Sequence, residues 1–218
     1  DGLLSAIVPD TSIILTGETY DLSSAKDYGT GYGDYYYWEE VYDGYQLVIE
    51  SVNNLSISAP EGKEVTISAI PRYADVLSIR NSKGVSLYNL TLGHTKEPGS
   101  CVGGVIECMT SEGISVENCS LYGCGIVGVN AVNCSDIFVT DSRIYDCSEA
   151  ALEFDSCSNC IFDNVEIFGC NGFTALANIR SSRNIGIINS DIHDNTAPVF
   201  LYSDYSKNVY LGGLLTEN

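Results

Sequence analysis

Seven small turn residues recur along this chain at nearly constant intervals, and that recurrence restricts its possible folds more than any other feature. Asn54, Gly84, Gly113, Asp136, Asn159, Asn184 and Asn208 are separated by 30, 29, 23, 23, 25 and 24 residues. A period in this range marks a repeat architecture, in which each unit buries its apolar face against its neighbours. All seven are Gly, Asn or Asp, the residues that enter the left-handed backbone region at least cost. A left-handed residue at the same place in every unit predicts a chain that turns the same corner once per repeat.

Around that corner, apolar residues fall at alternating offsets, which is the signature of strands. One residue after it come Leu55, Val85, Ile114, Ile137, Cys160, Ile185 and Val209; three after it, Ile57, Leu87, Val116, Val139, Phe162, Ile187 and Leu211. Eight after it come Leu92, Leu121, Ile144, Ile167 and Ile192, and seven before it, Leu47, Leu77, Ile106, Val129, Leu152, Ala177 and Leu201. Each unit therefore holds three short strands whose alternate side chains point inward, stacked at the ~4.8 Å strand spacing. The expectation is an all-β chain: a parallel β-helix solenoid with three strands per rung and about seven to eight rungs. As one domain, residues 1–218 divide into an N-terminal cap and first rung (1–26), a Tyr-rich loop (27–46) and regular rungs (47–218). Leu3, Leu4 and Ile7 would form the apolar face of a short capping helix. The last rung ends ten residues past Asn208 with no capping helix after it. A solenoid end needs a cap, so the expectation is a piece of a longer chain with further domains, or an end paired with another chain.

The nine cysteines are odd in number and fit the same columns. Cys124, Cys147 and Cys170 share one column with Thr95 and Asn195; Cys134 and Cys157 share another with Ser82, Ser111, Ser182 and Ser206. Stacked one rung apart, they lack the local pairing of a zinc site and read as reduced, buried, compact side chains. With 29 acidic against 10 basic residues the net charge is −19. Such a surface repels nucleic acid, and no apolar run is long enough to insert into a membrane as a helix. The first residues also lack the basic and apolar regions of a signal peptide.

The repeat over residues 45–218, entered through Ile13-Ile14-Leu15-Thr16-Gly17-Glu18-Thr19-Tyr20-Asp21-Leu22, resembles the right-handed parallel β-helix (pectin-lyase-like) superfamily. That superfamily includes pectate lyases, polygalacturonases, tail-spike proteins and bacterial surface proteins. The segment Gly93-His94-Thr95-Lys96-Glu97-Pro98-Gly99-Ser100-Cys101-Val102-Gly103-Gly104 is similar to one recurring in β-helix proteins of anaerobic, gut-type bacteria. The resemblance implies a secreted or cell-surface protein, and enzymes of the superfamily act on a groove along one sheet.

Candidate chemistry lies in three places. Glu153, Asp155, Arg180 and Asp204 fall on one outward face in three neighbouring rungs. Two carboxylates there could act as acid and base on a glycosidic bond. By the lyase resemblance, carboxylates could instead hold Ca²⁺ against a uronate while Arg180 takes a proton. The plain alternative is a surface ion-pair ladder of small energetic weight. Aromatic side chains suited to stacking on sugar rings occur at Tyr35, Tyr36, Tyr37 and Trp38, and in an outward stripe of Tyr122, Tyr145, Phe168 and His193. His94, near Lys96 and Glu97, is a further candidate for acid–base work. No cofactor is required by these patterns and no metal ligand set is assigned, with Ca²⁺ the one ion considered. The functional expectation is an extracellular module that interacts with a polysaccharide or other glycan by binding more than by cleavage. The alternatives are a polysaccharide lyase or glycosidase, and a structural stalk or adhesin segment, since this scaffold hosts all three.

Overall fold

A computed structural model describes residues 1–94, 102–123 and 126–217. Cys101, Cys124, Thr95, Lys96 and Glu97 lie outside the described residues. Three parallel sheets of eight strands each run the length of the molecule. The chain visits the first sheet (from Thr11–Ile14 to Lys207–Gly212), then the second (Thr19–Asp21 to Leu215–Glu217), then the third (Gly44–Glu50 to Leu201–Asp204) before starting the next rung. In the third sheet one of the eight, Tyr36–Val41, pairs antiparallel at the edge and is not part of a rung, which leaves seven rung strands among the described residues. The chain thus makes seven full rungs and the first two strands of another, as the corner spacing predicts.

All seven corner residues are left-handed, with φ between 53° and 68°. An eighth, Asp10, has the same conformation (φ 53°) before the first strand, and its Oδ1 accepts from Asn54 Nδ2 at 2.8 Å. The bend from the first to the second sheet has its own left-handed column: Asn89, Asn118, Asp141, Asn164, Asn189 and Gly213. There too the side chains link rung to rung, as in Asn118 Nδ2 to Asn89 Oδ1 (3.1 Å). The exit from the third sheet uses Ser51, Asn81, Thr110, Asn133, Ser156, Ser181 and Tyr205.

A left-handed bend turns the next backbone N–H along the solenoid axis, into a buried position where it needs an acceptor. The Ser and Cys column supplies it. Ser82 Oγ accepts from Val52 N–H at 3.2 Å and donates to Arg80 O at 2.8 Å. Ser111 Oγ accepts from Ser82 N–H (3.2 Å), Cys134 Sγ from Ser111 N–H (3.4 Å), and Ser182 Oγ from Cys157 N–H (3.0 Å). The cysteines are thus interchangeable with serine as small acceptors, as well as compact apolar groups. All seven described cysteines are free and buried.

Inward columns form one apolar core from Leu3 to Ile192. At one end the single-turn helix Gly2–Ser5 lays Leu3 and Leu4 over the first rung, with Ile7 beside them, all buried. In the last rung Leu211 is 44% and Leu215 67% exposed. The Tyr-rich segment differs from the loop expected of it. Tyr36–Val41 pairs antiparallel with Gly44–Glu50, forming a hairpin that covers the first edge of the third sheet. Edge coverage of this kind satisfies strand groups otherwise open to foreign pairing. Asp43 at its turn accepts from the N–H groups of Arg72 (2.7 Å) and Tyr73 (3.1 Å), fastening the hairpin to the next rung.

Candidate functional site on the third sheet

The outward face of the third sheet brings the four charged candidates together. Asp155, Arg180 and Asp204 are direct register partners on successive strands, and Glu153 aligns with Asn178 and Tyr202 two residues earlier. Glu153 is half-buried and its Oε1 accepts from Asn178 Nδ2 at 3.3 Å. Burial raises the Glu153 carboxyl, Arg180 opposes that, and Glu149 adds to it. Asp155 Oδ1 accepts from the adjacent Ser156 hydroxyl at 2.8 Å. Arg180 is exposed, and no carboxylate among the described residues approaches it within 4.0 Å, so the expected ion-pair ladder does not close. Asn178 is only 5% exposed although it points outward, and its Oδ1 has no hydrogen-bond partner. A buried amide oxygen without a donor is uncommon in folded proteins and calls for an explanation.

Toward the hairpin end, the same face carries a second charged group that the repeat pattern does not reveal. Arg80 pairs with Glu39 (2.7 Å) and Glu107 (3.0 Å), and its Nε donates to Ser78 Oγ (2.9 Å). Gln46 Nε2 donates to Glu39 at 2.7 Å, while Gln46 Oε1 accepts from the Asp75 N–H at 3.0 Å. Asp75 Oδ1 in turn accepts from Gly104 N–H at 2.6 Å. The hydrogen bond from Arg80 holds Glu39 below the usual carboxylate range. Burial, with Glu107 adding to it, pushes Asp75 up to about 7. Every donor nitrogen of Arg80 is already engaged, so this group fastens hairpin to rungs. Its carboxylate partners Glu107 and Glu39 lie 27 and 41 residues away in sequence, and only a hairpin signal at Asp43-Gly44 could have suggested that Glu39 would reach Arg80.

The aromatic candidates are differently disposed from what sugar stacking requires. On the second sheet Tyr122 and Tyr145 stack at 5.7 Å, Tyr145 and Phe168 at 4.9 Å, and Phe168 and His193 at 5.4 Å. Their planes are within 19° of parallel. The rings spend their faces on one another, and Tyr122 lies over Gly93, where an added Cβ would sit 2.6 Å from the ring. His193 closes the stack between Asp194 (2.9 Å) and Glu166 (3.2 Å), and both hydrogen bonds raise its pKa, Asp194 the more. In the hairpin Trp38 is 9% exposed and faces Tyr28 edge-on at 5.0 Å, so it offers no ring face. Tyr35, Tyr36 and Tyr37 are half-buried, and Tyr36 Oη donates to Asp27 Oδ2 at 3.0 Å. The open rings are others: Tyr32, Tyr42, Phe173 and Tyr205, each more than 80% exposed.

His94 is fully buried, and its Nε2 donates to Ala74 O at 2.7 Å. Burial lowers its pKa, which suits a neutral core imidazole more than a surface acid or base. Among the described residues no group of three or more His, Cys, Asp or Glu side chains is placed to hold a metal ion, and no helix is long and apolar enough to cross a membrane.

Several solved structures are similar to this chain at low identity. A pectin methylesterase from Aspergillus niger is 12% identical with a TM-score of 0.50, over 97% of this chain and 81% of the other. An alginate lyase from Paenibacillus sp. is 9% identical with a TM-score of 0.46, over 100% and 94%. A surface protein and adhesin of Streptococcus pneumoniae is 11% identical with a TM-score of 0.31, over 77% and 68%. No curated protein sequence matches the chain. The model of the right-handed beta helix region matches residues 48–213, which span most of the stacked rungs described above, and the chain belongs to that family.

Proposed function

We propose that this chain is an extracellular carbohydrate-interacting β-helix module, and that it holds a glycan on the outward face of the third sheet. One observation carries the reading. In the rungs around Asn178 the charged groups stand open to a ligand: Arg180 is exposed and outside ion-pair range of Asp155 and Asp204, its register partners on the neighbouring strands. The Arg80 group on the same face is saturated by its own neighbours. Sugar hydroxyls donate and accept at once, which suits an open guanidinium flanked by two carboxylates. Phe173 and Tyr202, 84% and 39% exposed, supply apolar surface in the same rungs.

Binding is favoured over cleavage by the layout of the carboxylates. Glu153, Asp155 and Asp204 all rise from one sheet surface, so they approach a chain lying on it from the same side. Inverting hydrolysis instead needs two carboxyl groups on opposite sides of the bond. Cleavage is the second reading, favoured by the raised Glu153 carboxyl, which suits a general acid. A glycan array followed by titration calorimetry tests the first reading, with Arg180→Ala expected to weaken severalfold the binding that wild type shows. If no glycan binds, or if Arg180→Ala binds like wild type, the proposal is lost. New reducing ends or unsaturated products that disappear in Glu153→Gln would move the conclusion to cleavage.

A further inference from the structure

Two pairs of buried thiols lie outside the site described above, and one of them is placed to react. We infer that Cys147 and Cys170 form a dithiol that closes into a disulfide between successive rungs when a small disulfide is supplied. The two residues are 23 apart in sequence and hold the same place in neighbouring rungs. Just before them Tyr145 and Phe168 are direct register partners, and just after them Asn171 N–H donates to Cys147 O at 2.7 Å. Fixed on both sides, the two Cα atoms lie at about the 4.8 Å strand spacing. That is inside the window of about 4.4–6.8 Å that a disulfide spans. Both side chains point inward and are fully buried. Cys170 Sγ reaches down to the rung of Cys147, where it lies 3.9 Å from Ile144 O, and Cys147 Sγ lies 3.7 Å from Tyr145 O.

The reaction is a pair of exchanges. A hydrogen bond from the Cys147 thiol lowers Cys170 below an ordinary thiol, and the same bond raises Cys147. Cys170 is therefore the thiolate, its proton given to solvent, and Cys147 the thiol. Cys170 Sγ attacks one sulfur of a low-molecular-weight disulfide such as oxidised glutathione, whose S–S bond breaks and releases one glutathione thiolate. Cys147 gives its proton to that thiolate and attacks Cys170 Sγ. The new S–S bond joins the rungs, and the second glutathione leaves as a thiolate that takes a proton from solvent. Two cysteine sulfurs are oxidised and two glutathione sulfurs reduced. Cys170 meets the oxidant when the bend at 169–176, which carries the exposed Asn171 and Phe173, opens locally.

Cys134 and Cys157 provide the contrast. They too are held in register, by the pairs Val132 with Asp155 and Ser135 with Ser158. Both of their thiols are raised, however, Cys157 to about 12. Against an ordinary thiol at 9.0, Cys157 has about a thousandfold less thiolate, and greater nucleophilicity offsets about thirtyfold of that. Cys147 and Cys170 should therefore close at least about thirtyfold faster. Their bridge also has a particular place in the fold, since Cys147 leads into strand Ala150–Asp155 and Cys170 into Ala177–Arg180. It would staple together the two strands that carry Glu153, Asp155, Asn178 and Arg180, whatever ligand they hold.

The test incubates wild-type protein in glutathione buffers from fully reduced to fully oxidised, quenches with acid, and maps the bridges by mass spectrometry without reduction. The Cys147–Cys170 bridge is expected first, with Cys134–Cys157 at least about thirtyfold slower. Its closure should raise the melting temperature by roughly 5–10 °C, reversibly with reductant. Cys147→Ser should stop at a glutathione adduct on Cys170, and Cys170→Ser should leave Cys147 unmodified. A purely structural pair of thiols would show no such asymmetry. Both thiols staying reduced in oxidised glutathione, with and without sub-denaturing urea to open the bend, would overturn the assignment. So would a bridge from Cys170 to any other cysteine, or a Cys147–Cys170 bridge that lowers the melting temperature.

Discussion

Asp75→Asn tests how the hairpin end of the third sheet is held together. In the folded chain burial disfavours the Asp75 carboxylate most, Glu107 and Glu39 add to that, and Gly104 N–H and Arg80 offset it only in part. Its carboxyl is raised from 3.8 to about 7, so the folded state keeps a proton that the unfolded chain releases. The stabilisation from that proton is complete below about pH 3.8 and is lost as pH rises through about 7. At 1.36 kcal/mol per pH unit the full penalty of ionising Asp75 would be about 4 kcal/mol. Because the group is only partly covered, solvent screening reduces the expected value to about 2 kcal/mol. Asparagine keeps the acceptor for Gly104 N–H and removes the charge facing Glu107. Urea denaturation of both proteins at pH 5 and pH 8 is the assay. Wild type should lose about 1 kcal/mol more than the variant between the two pH values, since at pH 5 the unfolded carboxyl is already ionised, and the variant should be the more stable protein at pH 8. Parallel pH profiles would refute the account, as would a variant less stable at pH 8.

Ser182→Ala should destabilise the chain by about 1–3 kcal/mol, because it leaves the buried Cys157 N–H without its acceptor. Ser182→Cys should cost about 1 kcal/mol or less, since Cys occupies the same column at 134 and 157; thermal melts of the pair check this. NMR titration of the two imidazoles should separate them, His193 titrating above 6.5 beside Asp194 and Glu166, and buried His94 below it. A thiol reagent should leave Cys108, Cys119 and Cys147 unmodified in the native protein. Burial holds Cys108 well above an ordinary thiol and Cys119 at about 11, and a hydrogen bond donated to Cys170, together with burial, raises Cys147. Rapid native modification of these three would contradict the buried ladder.

The parts of this fold that could be read from the sequence are those where one residue type performs one backbone task. Asn, Asp and Gly at the first corner are visible because few other residues enter the left-handed region easily. Asp10 escapes the same pattern because the hairpin, inserted in the first rung, puts it 44 residues before Asn54. The third-sheet exit is hidden for another reason. Ser51, Thr110, Ser156, Ser181 and Tyr205 are left-handed there, and tertiary stacking, not residue preference, holds them so. Glu153, Asp155, Arg180 and Asp204 could be placed on one face because alternation in a strand is enough to do it. Their hydrogen bonding could not, nor could the inward turn of Trp38, because both depend on side chains from other rungs. The aromatic stripe shows the limit most directly. Periodicity identifies a column of rings but not whether their faces are free, and here each ring covers the next.

The stacking of rungs has a mechanical consequence. Adjacent rungs are joined by hydrogen bonds that lie along the solenoid axis, so tension between the two ends would pull on them one rung at a time rather than shear many at once. A 23-residue rung, such as the one from Gly113 to Asp136, adds one strand spacing to the folded length. Peeled off and extended, it would release roughly 80 Å of chain. Under load the molecule would pay out like thread from a spool, in steps whose lengths follow the uneven spacing of its corners.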